Sequence, residues 1–546
     1  MTITTTRDGE DSFDVVVIGS GFGGSMAAHV LVHAGQRVLM IERGDWVRRG
    51  PHNWAPENVC EATPCYCHET PYHVNPGAEG ETIGAYYCVG GPSVFYGAVA
   101  LRMRLRDFEP DPSIVTDTNA RWPYNYSELE PQYTEAEALL GVAGQAGEDP
   151  TEPYRSAPYP QTPAALSNTS RRIGRAARAL GFRPFRLPLA INYSSSAEQG
   201  ACIACRTCDC FACGISAKND LATRVIPRLI AQGLTLATNT VALRLITNEH
   251  EDWNHVNAKP LITALECLDK TTGARRRYRA KRFVVAAGAI ASPHLILASG
   301  LERLNPAGQA IGHYLMRHCN AMVFGLFPGN PDPHHQFHKQ LGITDYYFGH
   351  PSVLEPRGKL GSLQQVHTPA VKLVEARVSA MARPFMAPMV EHLTGLLAIA
   401  EDQPRYENYI ALDRSQTDEV GLPRLYIEHS YTSRDLAARA ALVRAARRIL
   451  RRAGAWFFYV HDITTFSHAV GTIRMGSDRA TSPLDENCRY RGIDNLFVMD
   501  GSCLPTSAGV NPSLTIAAVS LRAARRLALE VTRPSPSLVL AANPER

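Results

Sequence analysis

Two stretches of this sequence combine residue types and spacings that could do chemistry. In the first, Gly19-Ser-Gly21-Phe22-Gly-Gly24 follows the apolar run Asp14-Val-Val-Val-Ile18, and residues 25–33 after it read as a helix that Gly35 ends. A second apolar run, Arg37–Ile41, stops at Glu42, 18 residues beyond Gly24. A G-x-G-x-x-G turn between a buried strand and a helix suits a dinucleotide for separable reasons. Gly19 permits the tight turn, Gly21 lets the backbone approach a pyrophosphate, and Gly24 lets the helix close on the strand. The start of that helix offers free N–H groups and a dipole end that favour phosphate. Glu42 can accept from both ribose hydroxyls, and its charge repels a 2′-phosphate. NADP is therefore disfavoured, while FAD and NAD stay open.

The second stretch is a run of cysteines. The chain has 13, and five lie at Cys202, Cys205, Cys208, Cys210 and Cys213. The opening C-x2-C-x2-C matches the start of a bacterial ferredoxin run, but the continuation differs: Cys210 and Cys213 come too soon and too late, and Gly214 stands where proline would. Two C-x2-C pairs also suit tetrahedral zinc. Reduced thiols, or a local disulfide shaping a loop, are the third reading. The candidate metal ligands are Cys202, Cys205, Cys208 and Cys213. A looser group, Cys60, Cys65, Cys67 and Cys88, has no spacing that fixes a pairing.

The elements that must position these groups are those of an ordinary globular chain. Its 546 residues are 45% hydrophobic and 20% charged, which excludes wholesale disorder. Lys and Arg number 56 against 52 Asp and Glu, a net +4 too balanced for a nucleic-acid or anionic-lipid partner. No run of about 18 apolar residues occurs, so no membrane span is expected. The start, MTITTTRDGEDSFD, lacks the features of a secretory signal, so a cytoplasmic protein with mostly reduced thiols is expected. Residues 235–246 read as one or two strands, and 283–289 as a buried strand before a helix at 292–298. Residues 425–428 read as a strand. Residues 433–453 read as an amphipathic helix with a solvated arginine face. Strand 496–500 and helix 512–529 close the chain. Residues 150–163 read as a linker, and 328–404 as mixed.

Late in the chain come His468-Ala-Val-Gly471-Thr, then Asn495-Leu-Phe-Val-Met-Asp500-Gly501-Ser-Cys-Leu-Pro505, then Asn511-Pro-Ser-Leu-Thr515. With these, and with Val89-Gly-Gly-Pro-Ser93-Val-Phe-Tyr96-Gly97, the sequence resembles the glucose-methanol-choline family of FAD oxidoreductases over nearly its full length. Arg121-Trp-Pro-Tyr, Gly147-Glu-Asp-Pro and Glu401-Asp-Gln-Pro are most similar to a bacterial choline-dehydrogenase-like branch. The resemblance implies an α/β fold in two parts. One is a discontinuous Rossmann-type FAD-binding domain (residues 1–155, 200–325 and 462–546). The other is an α+β substrate-binding domain with an antiparallel sheet (156–199 and 326–461).

The resemblance also assigns roles. His468 would lie by the flavin's reactive edge and take the substrate's hydroxyl proton, and Asn511 would hydrogen-bond the substrate oxygen. Asp500 would contact the pyrophosphate or ribityl region, and Val241 would hold the adenine through backbone groups. Ser93, Gly97, Gly501 and Thr515 join Gly19, Gly21, Phe22, Gly24 and Glu42 as expected FAD contacts. His313 and His318 resemble a segment that buttresses the cofactor domain, and His461 has no motif context. Several bacterial flavin sugar dehydrogenases of the family carry an iron–sulfur cluster on a comparable cysteine segment, so a cluster stays open beside zinc and loop-shaping thiols.

The implied chemistry is consistent with the residue types. Moving hydride from an alcohol carbon to flavin N5 requires the hydroxyl proton to leave to a base, for which histidine is suited. A second polar group must steady the developing alkoxide, and an Asn amide donates at any pH. The expected reaction oxidises a small-molecule alcohol to an aldehyde or ketone, with oxygen or another electron acceptor. Trp122-Pro-Tyr, Leu140-Gly-Val, Gly181-Phe-Arg-Pro-Phe and Pro188-Leu-Ala-Ile-Asn192 resemble oxidases of aminoglycoside biosynthesis, which points to a primary alcohol of a sugar or aminosugar. A hydrophobic alcohol (sterol, aryl or aliphatic) is the alternative, and a non-redox lyase on the same fold a third. Some family members attach FAD covalently through a histidine in the Gly-Gly loop, where this chain has Phe95. FAD is therefore expected to be non-covalent: acid precipitation should release all the yellow colour into the supernatant, and colour retained in the pellet would contradict this.

Overall fold

The computed structural model describes residues 13–55, 58–59, 62–75, 81–194, 200–248, 259–371, 374, 381 and 388–531. Cys60 lies outside them. Strand Phe13–Ile18 is central because its neighbours cover both faces: Val15, Val16 and Val17 are fully buried. A parallel strand buried on both sides needs no polar alternation, and each such valine contributes about 1.5–3 kcal/mol of burial. It pairs in parallel with Val38–Ile41 on one side and with Ala280–Val285 on the other. Strand Arg275–Val285 also pairs in parallel with Leu496–Val498 and antiparallel with Ile262–Asp269. Thr235–Ala237 and Thr240–Thr247, two strands where one or two were expected, complete a seven-stranded sheet.

Helix Phe22–His33 begins three residues earlier than its sequence pattern indicates. Two glycines of low helix propensity start it because nothing larger fits. A Cβ on Gly23 would overlap the Met499 carbonyl, and one on Gly24 the Gly19 carbonyl. The last helix, Ser513–Val531, packs against this first one. The start and end of the chain thus close over one sheet.

A six-stranded sheet follows the order Phe457–Asp462, Ala321–Leu326, Leu393–Ala400, Gly361–Val366, Leu341–Ile343, Phe185–Arg186, all antiparallel. Helix Ser433–Arg452 lies on one face. Thr432 and Asp435 form its capping box, worth about 1 kcal/mol. Ala438, Leu442, Ala445, Ile449 and Leu450 pack on Val323, Leu363, Leu396 and Ala398, while Arg444, Arg447, Arg448, Arg451 and Arg452 stay exposed. The opposite face presents Ser362 and Gln364 to residues 509–511: Ser362 Oγ donates to Gly509 O at 2.7 Å.

A four-stranded sheet joins Tyr66–Val74 and Glu81–Tyr86 to Tyr409–Thr417 and Pro423–Glu428. It bridges the two groups of segments, and strand Ala321–Leu326 belongs to the six-stranded sheet. Among the described residues no helix is long and apolar enough to cross a membrane.

The close helix–strand contact gives a direct test. Gly23→Ala must push backbone against backbone, with no flexible side chain to yield. It should cost about 2–3 kcal/mol, read as a lowered denaturation midpoint of the cofactor-free protein; an unchanged midpoint would contradict the packing described here.

Candidate active site

The glycine-rich turn and the Val89–Gly97 loop meet across an open space. Gly19 turns the chain at φ +103°. Over Gly21 a Cβ would find no heavy atom within 4 Å, and no side chain caps the helix that starts there. Uncapped N–H groups at a helix start favour an anion. From the other side, a Cβ on Gly91 would come 3.5 Å from the Gly21 Cα. Gly90 N donates to Ser20 Oγ at 2.9 Å. Ser93 Oγ donates to Gly90 O at 2.7 Å and accepts from Leu221 N at 3.2 Å. Phe22 and Tyr96 stack obliquely at 5.7 Å.

Glu42 ends the second strand as expected. Its carboxylate accepts from Ser20 Oγ, from Ser20 N at 3.2 Å and from Gly44 N at 2.9 Å. Burial raises its pKa. Thr240 N donates to Glu42 O at 2.9 Å, which brings Val241 beside the same strand end. An open cradle of uncapped N–H groups beside a buried carboxylate fits the pyrophosphate and ribose of FAD.

Other expected cofactor residues have protein partners. Thr515 Oγ1 bonds Tyr133 Oη at 2.7 Å. The Asp500 carboxylate accepts from Gly288 N at 2.9 Å, Ser292 Oγ at 2.5 Å, Ser502 N at 2.8 Å and Ser502 Oγ at 2.5 Å. It thereby ties helix Gly288–Ala298 to the Gly501 turn.

That turn places His468. Gly471 N donates to Gly501 O at 3.0 Å, and a Cβ on Gly501 would approach the Ala469 carbonyl at 2.9 Å. Met316 and Val470 exchange two backbone hydrogen bonds, at 3.0 and 2.9 Å, which lays residues 316–318 against 468–470. A row of side chains results. His468 Nε2 faces Asn511 Nδ2 at 3.3 Å, and Asn511 Oδ1 accepts from Gln364 Nε2 at 2.7 Å. On the other side, His468 Nδ1 faces His318 Nδ1 at 2.9 Å, and His318 Nε2 meets Ser507 O at 3.1 Å.

His468 and Asn511, 43 residues apart, are thus brought together. His318, read from sequence as a buttress, touches His468, because the Met316–Val470 pairing carries it there. His313 is a packing residue: its ring stacks on Tyr406 at 3.9 Å. Gln364 gave no sequence signal at all.

Two charges stand close to the row. Asp209 Oδ2 pairs with Lys339 Nζ at 2.5 Å, and both lie beside Gly97, where a Cβ would crowd them. Burial, His318 and Lys339 together hold the His468 pKa well below the ordinary histidine value, and Asp209 opposes them. His367 is buried, with neither ring nitrogen hydrogen-bonded, and Gln364 Oε1 likewise has no partner. Burial and His338 push the His367 pKa well down, Asp209 opposes, and Lys339 adds to the lowering.

The cysteine run is organised around a lysine. Lys218 Nζ, buried, donates to Cys208 O at 2.9 Å, Phe211 O at 2.6 Å and Tyr96 O at 2.9 Å. Cys210 N donates to Phe95 O at 3.0 Å. Cys202, Cys205, Cys208 and Cys213 are free thiols, and Cys210 is disulfide-bonded. Burial raises the pKa of Cys202 to about 11 and that of Cys208 further. Among the described residues no group of three or more His, Cys, Asp or Glu is arranged to hold a metal ion. The backbone of the run is tied to Lys218 and to Phe95, which accords with the reading of cysteines that shape a loop. The run packs the Val89–Gly97 loop and delivers Asp209.

The chain is similar to known proteins over nearly its whole length. Family models for "GMC oxidoreductase" match residues 124–320 and 404–520, and one for "FAD binding domain" matches 14–55. The chain is 31% identical to 6‴-hydroxyparomomycin C oxidase of Streptomyces lividus, over 94% of this chain and 91% of that one. It is 32% identical to paromamine 6′-oxidase of Streptomyces fradiae, over 96% and 92%. The solved pyridoxine 4-oxidase from Mesorbium loti superposes with a TM-score of 0.64 at 19% identity, covering 94% of this chain and 98% of that one.

A base whose pKa is depressed stays neutral through the neutral range. If His468 must be unprotonated, the rate of flavin reduction should stay flat as pH falls to 6.5 and drop only well below it. Lys339→Met removes a charge that disfavours protonation, so it should move that drop to higher pH; a drop centred above 6.5 in the unmodified protein would contradict the assignment.

Proposed function

This chain belongs to the GMC oxidoreductases and is an FAD-dependent alcohol oxidoreductase; on that premise we propose that it oxidises a primary alcohol of a sugar or aminosugar, with His468 as the base. Bound FAD supplies the hydride acceptor. The chain's own groups do the rest. His468 Nε2 takes the hydroxyl proton, and Asn511 Nδ2, 3.3 Å from that nitrogen, donates to the same oxygen as it approaches both from one side. Gln364 holds the Asn511 amide so that nitrogen, not oxygen, faces His468. A fixed donor needs no reorganisation as charge grows on the oxygen.

The observation that carries the substrate class is the set of buried polar groups without partners. His367 and Gln364 Oε1 are unpaired, and each such group costs about 1–3 kcal/mol until something pairs with it. A polyol brings the hydroxyls to do so. The names of the two Streptomyces relatives support the same class. A second reading, a hydrophobic alcohol, draws on Phe324, Val366, Leu397 and Ile399, which cluster on the Gln364 face of the sheet.

The test is anaerobic mixing of the FAD-loaded protein with paromamine, D-fructose, 2-methyl-1,2-propanediol and benzyl alcohol. Paromamine should bleach the flavin fastest, and faster bleaching by benzyl alcohol would favour the second reading. His468→Ala should slow bleaching by about 10²–10⁴-fold with FAD retained, and an unchanged rate would overturn the base assignment.

A further inference from the structure

His318 has no part in the roles assigned above beyond its contact with His468, yet its surroundings constrain it unusually. It is buried and sits at φ +63°, in the left-handed region that non-glycine residues enter at a cost. Its backbone is held there from three sides. Tyr431 Oη donates to His318 O at 2.8 Å. The preceding Arg317 N donates to Asp402 Oδ2 at 2.8 Å. Asp402 Oδ1 accepts from Ser507 Oγ at 2.7 Å, and Ser507 supplies the carbonyl that His318 meets.

The proton positions follow from these partners. A carbonyl oxygen only accepts, so His318 Nε2 carries a proton. Burial lowers the His318 pKa, with Asp402 opposing, so the ring is neutral and its Nδ1 is an acceptor. The facing His468 Nδ1, 2.9 Å away, must then donate. In a neutral ring that leaves His468 Nε2 bare, and Asn511 donates toward it. We propose that His318 is a positioning residue that sets His468 in its Nδ1–H tautomer, so that Nε2 is the nitrogen free to take the substrate's proton. This rests on the reading of His468 as base and specifies which of its nitrogens acts. When Nε2 takes the proton, the Nδ1–H bond to His318 strengthens, and the Asp402 carboxylate lies behind the pair.

Two substitutions separate positioning from mere packing. His318→Leu fills the space without an acceptor. His318→Asn can put Oδ1 where Nδ1 stood. Two-bond ¹H–¹⁵N spectra of histidine-labelled enzyme, with the His468 signal identified by its loss in His468→Ala, report the tautomer directly. The native enzyme and His318→Asn should show Nδ1 protonated and Nε2 bare, and His318→Leu should show protonated Nε2. Anaerobic flavin reduction, by whichever of the four alcohols bleaches the native enzyme fastest, should slow about 10- to 100-fold in His318→Leu, with little change in the alcohol concentration giving half the limiting rate. His318→Asn should regain most of the rate.

A native His468 protonated on Nε2 overturns the proposal even if the leucine variant fails to fold. So does a leucine variant that reduces at the native rate while His468→Ala is slow. A native rate in His468→Ala instead fells the base assignment, and with it any need to set the tautomer.

Discussion

A carbonyl oxygen cannot donate a hydrogen bond, and in this fold that limit propagates through two imidazole rings. Ser507 O fixes the proton on His318, which fixes the proton on His468, which leaves one nitrogen bare toward Asn511. From the other end, Gln364 holds the Asn511 amide in the matching sense. Four segments far apart in sequence supply the row: the 316–318 turn, strand Gly361–Val366, the 468–471 segment and the loop before the last helix. Most of the remaining architecture serves to bring those four together.

The close packing that does so is glycine-dependent at two places. Gly23 and Gly24 let the first helix sit against the Met499 strand end and the Gly19 turn, so the last helix can close on it and set the loop that carries Asn511. Gly501 lets Ala469 approach, which seats His468. The Val89–Gly97 loop is pinned separately, by Lys218 through Tyr96 O and by Cys210 through Phe95 O. The cysteine run therefore contributes through its backbone and through Asp209, which balances Lys339 close to His468.

Much of the cofactor region was legible in the sequence because its signals are local. A buried parallel strand reads as an unbroken apolar run, a phosphate turn needs its glycines at fixed spacing, and Glu42 follows directly. The helix start was misplaced because Gly23 and Gly24 look like turn residues until their carbonyl contacts are seen. The strand Gly361–Val366 was illegible: Ser362, Gln364 and Gln365 are all buried, so no polar–apolar alternation marks it. His318 was visible as a residue but not as a partner, since its contact depends on backbone pairing between residues about 150 apart. The cysteine spacing left three readings open because spacing is local, whereas the hydrogen bonds that tie the run to Phe95 and Tyr96 join residues more than 100 apart.

The proposed geometry puts an alcohol oxygen within reach of both His468 Nε2 and Asn511 Nδ2, which already face each other. The measurement that tests this most directly is a crystal structure of the FAD-loaded protein soaked without oxygen in paromamine. The account predicts a primary hydroxyl oxygen within hydrogen-bond reach of both nitrogens, about 2.6–3.2 Å. A hydroxyl bound away from that pair, or a His468 ring turned so that Nδ1 faces Asn511, would contradict it.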